Sequence, residues 1–105
     1  MSDREYLELA AKAAGIRLEW DGPPDKWQPM YYQGKTYHSF DPLTDSGQAL
    51  ELAVKLSLHI SVFVDAIGVG TPGAGYDELK YEGDPLAATR RAIVRAAAEI
   101  GRKMK

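Results

Sequence analysis

The stretch Asp41–Gly47 and the helix that it begins, predicted to run to about Leu58, limit the fold more than any other part of the sequence. At 100° per residue, its apolar and small side chains cover well over half of the circumference. Only Gln48, Glu51 and Lys55 remain on a narrow polar stripe. Because an ordinary surface helix has a narrower apolar face, we expect this one to be covered on two sides, by a sheet and by a second helix.

Two further helices are predicted near the ends of the chain. A capping box at residues 2–5 begins a helix that ends before Gly15, where a left-handed stop is expected. The pair Asp84-Pro85 has the N-cap and the first-turn proline that are typical of a helix start. The apolar period that follows predicts a final helix to about Arg102.

Between the helices, the sequence predicts short strands joined by turns. Apolar side chains alternate over 16–20, and two β-prone runs around a glycine-containing turn predict a hairpin at 30–40. A strand at 59–66 is followed by a glycine-rich tip at 68–75 and by an edge strand at 76–81. We therefore predict an α+β fold in the order α-β-ββ-α-ββ-α, with a mostly antiparallel sheet and the helices packed on it.

The strand predicted at 59–66 has two unlike faces. We expect its core face to consist of Ile60, Val62, Val64 and Ala66.

Length and composition limit the class of protein. A chain of 105 residues with 45% hydrophobic residues predicts a single domain over 1–105 with a modest core. The chain has no Cys, which excludes disulfides and thiol chemistry. No apolar signal core follows the N-terminal charges, and no run approaches the ~20 apolar residues of a spanning helix. We therefore expect a cytoplasmic protein with no membrane partner.

Three segments of the chain carry a resemblance to a known family. They are Phe40–Leu56, Ala88–Gly101 and the N-terminal Leu9–Gly15. Together they resemble the phage ABA sandwich domain family of small tailed-phage and prophage proteins. The resemblance implies an α/β/α sandwich and the cytoplasm of a bacterial host. It implies no activity and no site residue.

A glycine motif follows the strand predicted after the central helix. Gly68, Gly70 and Gly73 spell G-x-G-x-x-G, the pattern that cradles a pyrophosphate when a helix follows at once. Because a strand is predicted to follow instead, we interpret the segment as a hairpin tip. A nucleotide or small-molecule site in the 68–75 loop is the alternative.

Catalytic constellations are weak in this sequence. His59, Ser61 and Asp65 share a strand face, but at about 3.3 Å per residue Ser61 and Asp65 lie about 13 Å apart, too far for a local triad. His38 and Asp41 are near neighbours, which favours a hydrogen bond that stabilises a turn over a metal or acid–base site. We predict no catalytic residue, no metal and no cofactor.

Two groups of residues are candidates for binding. The final helix aligns Arg91, Arg95 and Arg102, which favours a solvated face. The alternatives are an acidic protein partner and a nucleic-acid surface, which the acidic pI of about 5.6 disfavours. The second group is an aromatic hairpin region whose rings suit a protein interface. Its candidate residues are Trp20, Trp27, Tyr31, Tyr32, Tyr37 and His38.

These observations lead to a ranked prediction of function. We expect a non-enzymatic phage or prophage accessory protein that binds a host or phage macromolecule, an unidentified protein in the first instance, through the aromatic hairpin region. The alternatives are a small-molecule or nucleotide binder that uses the 68–75 loop, and a weak nucleic-acid binder that uses the arginine stripe. Formation of a homodimer is a further expectation for a domain of this size.

Overall fold

A computed structural model describes residues 2–23, 28–72 and 74–104, without the side chains of 74–77. The described part has three helices: α1 Asp3–Ala13, α2 Ser46–Lys55 and α3 Pro85–Lys103. Its strands are β1 Glu19–Asp21, β2 Gln28–Gln33, β3 Thr36–Ser39, β4 His59–Val62, β5 Ala66–Thr71 and β6 Ala74–Lys80. The predicted α+β class and the order of helices and strand groups are confirmed. Among the described residues, none of the helices combines the length and the hydropathy that a membrane span needs.

The strands form two antiparallel sheets of three strands each. One sheet has the order β1-β2-β3 and the other has the order β4-β5-β6. We name them sheet A and sheet B. Antiparallel pairing follows from the short connections within each group, because a parallel pair needs a crossover of a dozen or more residues.

The segment predicted as one strand at 59–66 is two strands in the structure. The Phe63 N–H donates to the Ala66 carbonyl at 2.8 Å and closes a turn whose two central residues are Val64 and Asp65. The predicted core face is therefore wrong at Val62 and Val64, which are exposed, whereas Ala66 is buried. The predicted glycine-rich loop at 68–75 is also wrong over 68–71, which belongs to β5.

Helix α3 lies at the centre of the molecule and packs against α1, α2, β5 and β6. The Asp84 side chain caps its first turn by accepting from the Leu86 N–H at 3.0 Å. Its buried residues extend around more than half of the helix, and most are small, so that neighbouring elements come close. They are Ala92, Ile93, Val94, Ala96, Ala97, Ala98 and Gly101.

Helices α1 and α3 run parallel and touch at the backbone. Asp3 at the start of α1 accepts from Arg91 in the first half of α3, and the Lys12 ammonium donates to the Met104 carbonyl near the ends of both helices. Between these points, a Cβ on Gly101 would overlap the carbonyl oxygen of Leu9 and lie 2.8 Å from its carbonyl carbon. Glycine is therefore the residue that this helix crossing requires.

Helix α2 is less covered than the sequence predicted. Its buried residues are Ala49, Leu52 and Ala53, whereas Leu50 and Val54 are exposed. The expected cover on two sides is wrong because α3, the longer helix, occupies the centre and leaves α2 buried along one strip. The helix also ends at Lys55 rather than near 58, since Ser57 adopts a left-handed φ of 54°.

We predict that Gly101→Ala destabilises the fold although alanine favours helix formation by about 1 kcal/mol over glycine. Separating α1 from α3 should lower the free energy of unfolding by about 1–3 kcal/mol, measured by urea denaturation. Gly47→Ala is the control, because it also lies in a helix and the nearest atom to its Cβ is a side-chain oxygen of Asp45 at 3.2 Å, so no loss of stability is expected. An undiminished stability of Gly101→Ala would contradict the backbone contact.

Candidate functional site

The aromatic hairpin region presents two different faces of sheet A. In the register of β2 with β3, Tyr31 lies opposite His38 and Tyr32 lies opposite Tyr37. Because side chains alternate along a strand, the first pair and the second pair point to opposite sides of the sheet. The structure therefore separates residues that the sequence grouped together. Trp27 lies outside the described residues.

The inner face of sheet A packs against the core. The Tyr31 ring lies 5.5 Å from the His38 ring and meets the buried Phe40 edge-on, with centroids 6.2 Å apart. Trp20 is half-buried, and the Arg4 guanidinium lies 4.3 Å from the centre of its ring. Trp20, Tyr31 and His38 therefore pack within the protein. A partner can contact only the parts of these side chains that stay exposed.

The outer face of sheet A presents a tyrosine pair, in which Tyr32 is exposed and Tyr37 is half-buried. Tyr32 is 62% exposed, and its ring centre lies 4.6 Å from that of Tyr37. The Tyr37 hydroxyl donates to Asp21 at 3.3 Å. Partial removal from water and the negative charge of Asp21 raise the pKa of Tyr37 above its ordinary value. Tyr37 is therefore a neutral hydrogen-bond donor to Asp21, and its ring packs against that of Tyr32.

A cleft of about 560 Å³ lies where sheet A meets α2 and the end of α1. Its floor contains the buried side chains of Phe40 and Leu52, and both Tyr31 and Tyr32 contribute to its walls. Its exposed rim carries two basic and two acidic residues. They are Arg17, Lys55, Glu19 and Glu51.

Local hydrogen bonds hold the helix side of this cleft in place. The Asp45 side chain caps α2 by accepting from the Gln48 N–H at 3.1 Å. The Gln48 side chain, which also lines the cleft, accepts from the Asp41 N–H at 2.7 Å. The Asp41 carboxylate accepts from the Thr44 hydroxyl. The acidic residues of this turn therefore position α2 against sheet A.

The charged rim of the cleft was not predicted from the sequence. Glu51 and Lys55 lie four residues apart on the polar stripe of α2, and that spacing was the available signal. Arg17 and Glu19 come from the segment before and within β1, and only the packing of sheet A beside α2 brings them to the same opening. Such a cleft can bind a ligand that carries an apolar or aromatic group beside charges of both signs.

The basic stripe on α3 is partly neutralised by carboxylates. Arg91 donates to both Asp3 oxygens at 3.0 and 3.3 Å, and Arg102 donates to both Glu99 oxygens at 2.7 and 3.1 Å. These hydrogen bonds lower the pKa of Asp3 and of Glu99. Arg91 and Arg102 are therefore ion-paired within the chain, which weakens their field toward a phosphate backbone.

The glycine motif does not form a phosphate-binding loop in the described residues. Gly68 pairs with Ser61 and Glu78, and Gly70 pairs with His59 and Tyr76, so both lie in the ladder of sheet B. The element after the motif is β6, not a helix whose N-terminus could face an anion. Gly73 lies outside the described residues.

The described residues also hold no group of three or more potential metal ligands of the His, Cys, Asp or Glu type. His38 contacts Tyr31, and Asp41 accepts from Thr44, so their described contacts are structural.

No family model matches this chain, and comparison with curated proteins and with solved structures finds no match either. The resemblance to the phage ABA sandwich domain family therefore stays a prediction.

We predict that Asp3→Asn weakens the fold in a pH-dependent way. The folded-state pKa of Asp3 lies below its ordinary value of 3.8, so the stabilisation is complete above that value and is lost as the pH falls through the lower folded pKa. Because both side chains are largely exposed, the loss at pH 7 should stay below about 1 kcal/mol. Urea denaturation at pH 7 and at pH 2 measures it.

Arg91→Gln provides the matched test of the same ion pair. It should remove the same pH dependence, and the double variant should lose little more than either single variant. A loss for Asp3→Asn that is undiminished at pH 2 would contradict a role for the Asp3 charge.

Proposed function

We propose that this protein is a non-enzymatic binding domain that holds a short segment of a protein partner in the cleft beside the aromatic hairpin region. The observation that carries the proposal is the cleft itself, which places Tyr31 and Tyr32 beside a rim of mixed charge. Tyrosine supplies a large contact area with little loss of side-chain entropy, and it is frequent at interface hot spots. Following the family resemblance, we propose a phage or prophage accessory role.

The charges of the rim favour a polypeptide over a nucleic acid. Arg17 and Lys55 balance Glu19 and Glu51, so the formal charge of these four residues is zero. A surface that binds a phosphate backbone gains affinity from an excess of positive charge, which this rim lacks. A peptide instead offers charged side chains of both signs and amide groups that can bond to the Gln33 and Gln48 side chains of the lining.

A small molecule of similar character is the second candidate occupant. The volume of about 560 Å³ lies in the range that is usual for small-ligand pockets. We place the small-molecule site in this cleft rather than in the segment 68–75, because Gly68 and Gly70 lie within β5.

We expect Tyr32→Ala to weaken the binding of peptides selected from a random-sequence display library against the wild-type protein. Tyr32 lines the cleft, and removal of a tyrosine at an interface hot spot costs about 2 kcal/mol or more, so the Kd should rise at least about 30-fold in isothermal titration calorimetry. Leu86→Ala is the control, because Leu86 is 64% exposed against 62% for Tyr32 and does not line the cleft. Its Kd should not change.

Three outcomes of this experiment separate the candidates. Enriched peptides that bind Tyr32→Ala as tightly as the wild type would refute the cleft as their site. Failure of the library to yield any peptide would refute the peptide-binding proposal. A small compound that co-purifies with the wild type and not with Tyr32→Ala, detected by native mass spectrometry, would establish the second candidate.

A further inference from the structure

We propose that β4 is a dimerisation edge, at which β4 of a second copy pairs in antiparallel orientation and joins the two copies of sheet B into one six-stranded sheet. The proposal concerns sheet B, whereas the cleft lies beside sheet A. The outcome of one test therefore does not decide the other proposal.

The outer edge of β4 offers backbone groups for another strand. The Phe63 N–H donates inward to Ala66, and in an antiparallel ladder the inward-bonding residues alternate with outward ones. Ile60 and Val62 therefore direct their N–H and C=O groups away from β5. No strand within residues 2–23, 28–72 and 74–104 pairs with that outer side.

Apart from its short length of four residues, the β4 edge lacks the features by which edge strands avoid pairing. Such strands are usually protected by charges, proline or a bulge. At the opposite edge of sheet B, β6 carries Glu78 and Lys80, and the ladder of β5 with β6 is irregular near Gly70. The segment 59–64 has no formally charged residue if His59 is neutral, and no proline.

Three consecutive apolar side chains are exposed at the end of β4 and in the turn that follows it. Val62 is 72% exposed, Phe63 is 46% exposed and Val64 is 99% exposed. β-Branched and aromatic side chains are those that pair favourably across strands. An edge that combines outward backbone groups with such side chains is an open site for strand addition.

In one two-fold symmetric register, the outward N–H and C=O groups of β4 bond to those of β4 in a second copy. With Ser61 on the axis, Ile60 lies opposite Val62 of the second copy, and His59 lies opposite its Phe63. The two symmetric Ile60–Val62 pairs then form about four backbone hydrogen bonds. Every opposed pair is apolar, aromatic or Ser–Ser, so the segment is complementary to itself.

Charge also favours a second copy as the occupant. Two chains of net charge −2 repel one another, and an edge without formal charge is where identical surfaces meet with the least repulsion. A C2 interface uses the same patch on both subunits, which this register provides. Because the paired strands are short, we expect a small interface and a weak, concentration-dependent dimer.

Analytical ultracentrifugation of three proteins tests the dimer. The wild type should show a reversible monomer–dimer equilibrium, and Val62→Lys should raise the dimer Kd by at least about tenfold, because lysine blocks edge pairing. Val54→Lys is the matched control, since Val54 is also 72% exposed but lies on α2, and its Kd should equal that of the wild type. Circular dichroism confirms that each variant is folded.

Two results of the sedimentation experiment would overturn the proposal. One is a wild type that stays monomeric up to about 1 mM, which corresponds to a binding free energy no more favourable than about −4 kcal/mol. The other is a dimer that Val54→Lys weakens as much as Val62→Lys does, which would move the interface to α2.

Disulfide trapping tests the register independently. The chain has no Cys, so Ser61→Cys introduces a single thiol. On the two-fold axis, the two copies of residue 61 form a non-hydrogen-bonded pair with Cα atoms about 4.5 Å apart, within the range that a disulfide spans. Mild oxidation should give a covalent dimer much faster than it does for Ser39→Cys, an exposed position on edge strand β3.

Equal rates of crosslinking for Ser61→Cys and Ser39→Cys would show random collision and would overturn the proposed pairing. Faster crosslinking of Val62→Cys than of Ser61→Cys would overturn the register, because it would place residue 62 on the axis.

Discussion

The backbone contact between α1 and α3 is the constraint on which the rest of the structure depends. At Gly101 the two helices approach so closely that even a methyl group would overlap the Leu9 carbonyl. Helices can come this close only where small side chains meet, and the buried part of α3 is largely alanine. The contact keeps α3 in the centre, where it also packs on α2 and on sheet B.

The central position of α3 explains the surfaces that remain open. Helix α2 packs on α3 along one strip, and its other residues meet sheet A across the cleft or face solvent. Sheet B packs on α3 through β5 and β6, so β4 lies at the margin of the helical layer and its far end is exposed. The proposed peptide cleft and the proposed dimer edge both lie where helices or strands extend beyond the buried core.

The aromatic and basic groups acquire different roles once their partners are known. Tyr31 and Trp20 stabilise the inner face of sheet A, whereas Tyr32 remains outside, supported by Tyr37. On α3, Arg91 connects the helix to Asp3 of α1 over 88 positions of sequence. A residue type suited to binding can therefore serve packing or ion pairing, and only its contacts distinguish these roles.

The sequence by itself determined the helices, the antiparallel pairing and the element order, because caps, turns and apolar periods are local properties of the chain. The Val64–Asp65 turn escaped prediction because it contains neither glycine nor asparagine, the usual signals of a tight hairpin. Tertiary structure alone decided which apolar residues of α2 are buried, which carboxylates neutralise Arg91 and which four charges surround the cleft. These features depend on distances between segments remote in sequence, and such distances are set by the packing around α3.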